Sequence, residues 1–206
     1  MYQRQTMQRY LTRDEERQLF KHVKKFSADI LAERDWHWMQ LLRQTGMRIN
    51  NLANLTIVDA WAALKHPQHH LQLADEHSKG GQGYVVRFNT EAIKSLRALL
   101  RIRQGQGFDA FDDGPLIMSR QGKSALSVRS YQNRLRQWSL SAGLAQAATP
   151  HWFRHTLAKR IIDTTTHKNP LQIVQQALGH SDIKSTVIYT MPDKEEVDAA
   201  VQAAAR

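Results

Sequence analysis

Helical periodicity runs through most of this chain and is interrupted once. Leu19, Phe20, Val23, Phe26 and Ile30 recur at helical spacing, and Thr12 with Glu15 three residues on has the form of a capping box ahead of them. A second helix is expected over about Asp35 to Thr45, with Gly46 as its C-terminal stop. "RINNLANL" opens a third, with Ile49, Leu52 and Leu55 along one stripe. Between Ile57 and Asn89 the pattern changes. "HLQLA" alternates, "YVVRF" is β-prone, and "HSKGGQG" between them is turn chemistry, so a short antiparallel sheet with Lys79 at its tip is expected. Helical spacing then returns in Ile93, Leu96, Leu99 and Leu100, and in Val128, Tyr131, Leu135 and Trp138 behind a Ser127 cap.

Two dipeptides punctuate the second half. Proline has no backbone N–H to lose at the first helical position, so Thr149-Pro150 and Asn169-Pro170 read as helix starts. Gly179 should end the second of these helices. The tail carries Val197, Ala200, Val201 and Ala204 at helical spacing, which predicts a C-terminal helix within residues 192–206. No internal repeat, low-complexity segment or linker stands out. The expected fold is mainly α with a small antiparallel β-sheet, as one domain over residues 1–206.

Composition bounds the partners. The chain has 206 residues and is 41% hydrophobic, enough for a real core. Lys and Arg number 29 against 19 acids, a net charge of +10, which points to a polyanion, with nucleic acid first. Cysteine is absent, so disulfides and thiolate zinc sites are excluded. The N-terminus has no apolar signal region and no apolar run approaches bilayer length, so a cytoplasmic location without membrane contact is expected. "HPQHHLQLADEH" holds His66, His69, His70 and His77 without an acidic or Cys partner at fitting spacing, so a solvated hairpin is favoured over a metal site. Trp36 and Trp38 read as core and helix rim rather than as a base-stacking platform.

Five short segments carry chemistry when taken together: Arg48 in "TGMRINNL", Lys79 in "SKGG", His151 and Arg154 in "TPHWFRH", His180 in "LGH" and Tyr189 in "VIYT". Each alone is bland. A lone Arg is usually a surface residue, a Gly-rich turn lysine is solvated, and a tyrosine is mostly packing. As a set they suit a phosphodiester. Residues 151 and 154 lie one helical turn apart, in first turns where the helix dipole already favours an anion. Two arginines can clamp the non-bridging oxygens and counter the charge of pentacoordinate phosphorus. A tyrosine can attack phosphorus and hold the broken strand, a lysine can protonate the leaving alkoxide, and histidines can shuttle protons. Permanent guanidinium charge would make a metal or other cofactor unnecessary.

These segments resemble, in order, the boxes of the tyrosine recombinases, the phage integrase family. "TGMRINNLANL" is similar to the family's first arginine box, "SKGG" to its β-hairpin lysine, "TPHWFRHTLA" to its H-x-x-R box and "LGHSDIKSTVIYT" to its His-to-Tyr box. The resemblance covers about Leu11 to Thr190. It implies a catalytic domain that cleaves and rejoins duplex DNA through a 3′-phosphotyrosine, working as a homo-tetramer on DNA. Arg48 and Arg154 would clamp the scissile phosphate, and Lys79 would be the general acid toward the 5′-oxygen. His151 would assist proton transfer at the tyrosine, His180 would bond the phosphate, and Tyr189 would be the nucleophile.

Two departures accompany the resemblance. The family usually has an acid three positions after the first arginine, where this chain has Asn51. Most members also carry an N-terminal core-binding domain, whereas here eleven residues precede the Thr12 cap. The chain therefore resembles the short, catalytic-domain-only members such as the fimbrial inversion recombinases, and an accessory DNA-binding protein is expected to help it. Two rival readings fit the same residues: a DNA-binding regulator that kept the fold with weak catalysis, and a strand-passing enzyme of the type IB topoisomerase kind. The tail helix is expected to dock on a neighbouring protomer, with cis packing as the alternative.

Overall fold

The computed structural model describes residues 10–73, 83–109, 112–120, 124–179 and 194–204. Helix α1 spans Arg13–Lys24 and opens on the expected box: the Thr12 hydroxyl accepts from the Glu15 N–H while the Glu15 side chain accepts from the Thr12 N–H. It stops sooner than the apolar spacing implies. The Lys25 and Phe26 amides turn back to His22 and Val23 carbonyls, and Asp29 then caps α2 by accepting from Leu31 N–H. Helix α2 therefore runs Ile30–Thr45, starting well before Asp35. Phe26 and Ile30 are 47% and 38% exposed, so the core stripe of α1 ends at Val23.

Helix α3 is Ile49–Asn54 and α4 is Ile57–Lys65. The latter corrects the expectation that helical structure gives way at Ile57. A second capping box starts it, Thr56 with Asp59, and this pair outweighs the β-branched Ile57-Val58 start. The sheet itself is as expected: β1 (His70–Leu73) pairs antiparallel with β2 (Tyr84–Arg87), Leu71 opposite Val86 and Leu73 opposite Tyr84. The hairpin tip with Lys79 and His77 lies outside the described residues. Helices α5 (Thr90–Gly105), α6 (Val128–Ser141), α7 (Pro150–Thr164), α8 (Pro170–Leu178) and α9 (Lys194–Ala204) follow. Pro150 and Pro170 take the first helical positions of α7 and α8, and Gly179 closes α8 at φ +64°.

The core gathers around α2. Trp38, Met39, Leu41 and Leu42 are sealed from solvent against Leu19, Tyr131 and Phe153 from three other helices. Truncating a ring as buried as Phe153 costs about 3–5 kcal/mol. A buried carboxylate shares this interior. Asp35 is fully buried, and its carboxylate accepts from Trp38 Nε1 at 2.9 Å, Trp138 Nε1 at 2.8 Å, the Arg34 guanidinium at 3.0 Å and Arg134 Nε. A carboxylate so placed is tolerable only with its acceptor sites filled, and these donors lock α6 onto α2. Trp38 lies in the core and Trp36 packs at its rim, as expected.

Candidate active site

The corner between α2 and α3 sets the first arginine. Gly46 ends α2 in the left-handed region at φ +61°, and a Cβ there would stand 2.6 Å from Leu178 and 3.0 Å from Leu157 side-chain atoms. The corner is therefore pressed against α7 and α8, and only glycine fits it. Two residues later Arg48 takes the N-cap of α3 in extended conformation. From the opposite side, the first turn of α7 presents His151 and, one turn on, Arg154. Together with Asn50, Gln132 and Thr149 they line a cleft of about 270 Å³. Three of the six candidate residues, Arg48, His151 and Arg154, thus meet in one cleft. The other three, Lys79, His180 and Tyr189, lie outside the described residues.

Arg154 is 3% exposed and tied to main chain on two sides. Nη1 donates to the Gly46 carbonyl at 2.7 Å and Nη2 to the Leu178 carbonyl at 2.5 Å. These oxygens belong to the C-terminal ends of α2 and α8, where carbonyls lack helical partners and a cation is favoured by the helix dipole. One guanidinium therefore joins the corner before Arg48 to the turn before His180. The H-x-x-R pattern pointed to a phosphate ligand; it did not disclose this second duty.

His151 and its neighbour His155 are held neutral. Burial pushes His151 below the ordinary histidine range, reinforced by the cations of Arg154 and Arg48. Its ring stands edge-on to His155 at 4.4 Å, and His155 is lowered to about 4 by burial, then by His151 and Arg154. His37, on α2, is also lowered to about 4, by burial and by Lys24 and Arg101. At neutral pH His151 is thus a proton acceptor beside two permanent cations. A stability consequence follows from the sign. His155 and His37 stay uncharged in the folded chain down to about pH 4, while the unfolded chain protonates them at 6.5. The unfolded state therefore binds more protons between these values, and stability is full above the window and falls with acidification through it. Thermal melting should show a midpoint that drops from pH 7 toward pH 4, and His155→Gln should flatten that slope; a slope unchanged in the variant would refute the assignment.

Tyr131, a tyrosine on an apolar helical face, cannot compete as nucleophile. It is fully buried, stacks edge-on against Trp38 at 5.1 Å, and burial pushes its phenol up. Among the histidines of the hairpin, His66 Nδ1 accepts from Gln68 N–H, and His69 Nδ1 meets the Ala63 carbonyl at 3.2 Å. They shape the loop before β1. Among the described residues no three His, Cys, Asp or Glu side chains gather as a metal site.

Residues 9–196 match the phage integrase family, and the chain belongs to it. Its relatives include tyrosine recombinase XerC of Pseudomonas entomophila, 31% identical over 176 residues covering 85% of this chain and 54% of that protein. XerC of Azotobacter vinelandii is 32% identical over 173 residues, 83% of this chain and 52% of that one. The chain thus spans about half the length of the curated relatives it matches. Among solved structures, the XerA recombinase superposes with a TM-score of 0.73 at 24% identity, covering 97% of this chain and 64% of XerA. XerH site-specific recombinase bound to its difH substrate gives 0.70 at 23% identity, covering 95% and 54%. These likenesses establish the fold, mostly helical with a small antiparallel sheet.

Proposed function

We propose that this chain is the catalytic domain of a tyrosine-type site-specific recombinase acting on duplex DNA. The observation that carries the reading is the meeting of Arg48, His151 and Arg154 in one cleft, within a family match that spans Tyr189. XerH, of the same fold, is a recombinase with DNA bound. The Tyr189 oxygen attacks phosphorus as the P–O5′ bond breaks, leaving a 3′-phosphotyrosine. The phenol proton passes to neutral His151, and the 5′-oxygen takes one from Lys79. Arg48 and Arg154 offset the charge gathering on the non-bridging oxygens, and His180 bonds one of them. Because the phosphotyrosine keeps the bond energy, rejoining by the freed 5′-hydroxyl needs no ATP.

The location consistent with this is the cytoplasm, on the nucleoid or a mobile element; no helix among the described residues is long and apolar enough to cross a membrane. A homo-tetramer on DNA, joined through the tail helix, fits the exposure of α9, whose Val201 is 62% exposed. An accessory DNA-binding protein would add affinity. A regulator with weak catalysis is the second reading, favoured by Asn51 where an acid is usual.

A nicked suicide substrate separates the two, since loss of the short cleaved end traps the attacked strand on the protein. An SDS-resistant protein–DNA adduct is expected; its absence with intact binding would favour the regulator. Binding itself should weaken steeply with salt, with a log–log slope of about −0.9 per phosphate contacted. A flat response would contradict a phosphate-gripping surface.

A further inference from the structure

One side chain outside the six candidates touches both the start of α3, at Arg48 and Asn51, and the turn at Gly179. Tyr84 begins β2, the strand that leads out of the Lys79 hairpin, and is 7% exposed. The Arg48 guanidinium carbon lies 5.1 Å from the centre of its ring. Its hydroxyl donates to Asn51 Oδ1 at 3.0 Å and accepts from the Arg48 backbone N–H at 3.5 Å. On its other side the chain at Gly179 runs so close that a Cβ there would fall 2.4 Å from Tyr84 Cβ and Cγ. Glycine is therefore demanded at 179 twice, by φ +64° and by the tyrosine.

The geometry points to Tyr84 as a positioning residue: anchored through its hydroxyl on Asn51, its ring holds the Arg48 guanidinium and walls the Gly179 turn. This rests on the reading of Arg48 as a phosphate clamp. An arginine on a short corner has several rotatable bonds, and a clamp works only if the fork is already aimed. A carboxylate at position 51 could orient a neighbouring arginine by charge, and would also compete with the phosphate for it. Asn51 cannot act by charge. Here it fixes a phenol, and the face of the phenol ring holds the cation without offering an anion. The same ring sets how far the end of α8 can approach, so the hairpin strand, the first arginine and the turn toward His180 share one reference point.

The test is a double-mutant cycle on the full chain with a nicked substrate. Tyr84→Leu, which keeps apolar bulk, should bind DNA within about threefold of wild type yet cleave at saturation roughly tenfold slower or more, the scale of one lost cation–π contact. Tyr84→Phe, which keeps the ring and loses the hydroxyl, should fall between them. Added to Arg48→Lys, Tyr84→Leu should cost little further, because it acts through the group already removed. A full multiplicative loss in that background, or an unaltered rate in Tyr84→Leu, would overturn the proposal. Position has its own readout. A guanidinium over a ring face is shielded by the ring current, so the Arg48 side-chain N–H resonance should move downfield in Tyr84→Leu and by less in Tyr84→Phe; no movement in the Leu variant also overturns it. If the wild-type chain forms no adduct, the recombinase reading falls, while the resonance still decides whether Tyr84 holds Arg48.

Discussion

Tyr189→Phe is expected to bind duplex DNA with wild-type affinity and to form no covalent adduct. The change removes one oxygen, keeps the ring and leaves the net charge of +10 untouched, so the electrostatic part of DNA affinity should persist. What goes is the proposed nucleophile, and removing a nucleophile costs on the order of a millionfold where nothing replaces it. Neither Tyr131 nor Tyr84 offers a good substitute. Tyr131 is sealed in the core with its phenol pushed up, and the hydroxyl of Tyr84 is committed to Asn51. The measurement is a denaturing gel of protein trapped on a nicked substrate, beside a binding titration under the same salt. An adduct formed by the Phe variant would place the nucleophile elsewhere and break the assignment of the whole His-to-Tyr box.

The local rules that leave chemical marks were the ones that could be read. Thr12-Glu15, Pro150, Pro170, Gly46 and Gly179 each solve a problem at a helix end, and the structure places a helix end at each. Helix α4 carried a mark of the same kind, Thr56 with Asp59, which the neighbouring β-branched pair and the onset of alternation obscured. The overlong first stripe failed for another reason. Phe26 and Ile30 sit at helical spacing from Val23, but spacing cannot tell that the chain turns at Lys25 and restarts at Asp29. Asp35 and Tyr84 were out of reach altogether. A carboxylate that collects Trp138 and Arg134 from α6, and a phenol that meets Arg48 and Gly179, depend on residues brought together from separate parts of the chain. Their types follow from partners that periodicity does not identify. At the candidate site, Arg48, His151 and Arg154 could be singled out because their residue types and order are chemical, and the structure lines one cleft with them; the other duty of Arg154 could not, because its partners are backbone carbonyls, which every residue possesses.

That second duty shapes the expected behaviour of Arg154→Lys. Charge is kept, so DNA affinity should change little, since one cation among many phosphate contacts retains its sign. The fork is lost. A lysine ammonium is a point charge on a flexible stem and cannot face a phosphate with two parallel N–H groups. Loss of one preorganised donor to a transition-state oxyanion costs about 10²–10³-fold in rate, so cleavage at saturation should fall by that order. The fold is affected as well. Arg154 now satisfies the Gly46 and Leu178 carbonyls with two different nitrogens, and one ammonium is poorly placed to span both. A buried carbonyl left without its donor costs about 1–3 kcal/mol. In a chain of this size each kcal/mol lowers the melting midpoint by about 2–4 °C. Arg154→Lys should therefore melt several degrees lower and cleave far more slowly even well below its midpoint. Single-turnover cleavage at low temperature isolates the clamp, and melting without DNA isolates the carbonyl bonds. A normal cleavage rate would remove Arg154 from the site, and an unaltered midpoint would mean that the corner at Gly46 and the turn at Gly179 hold without it.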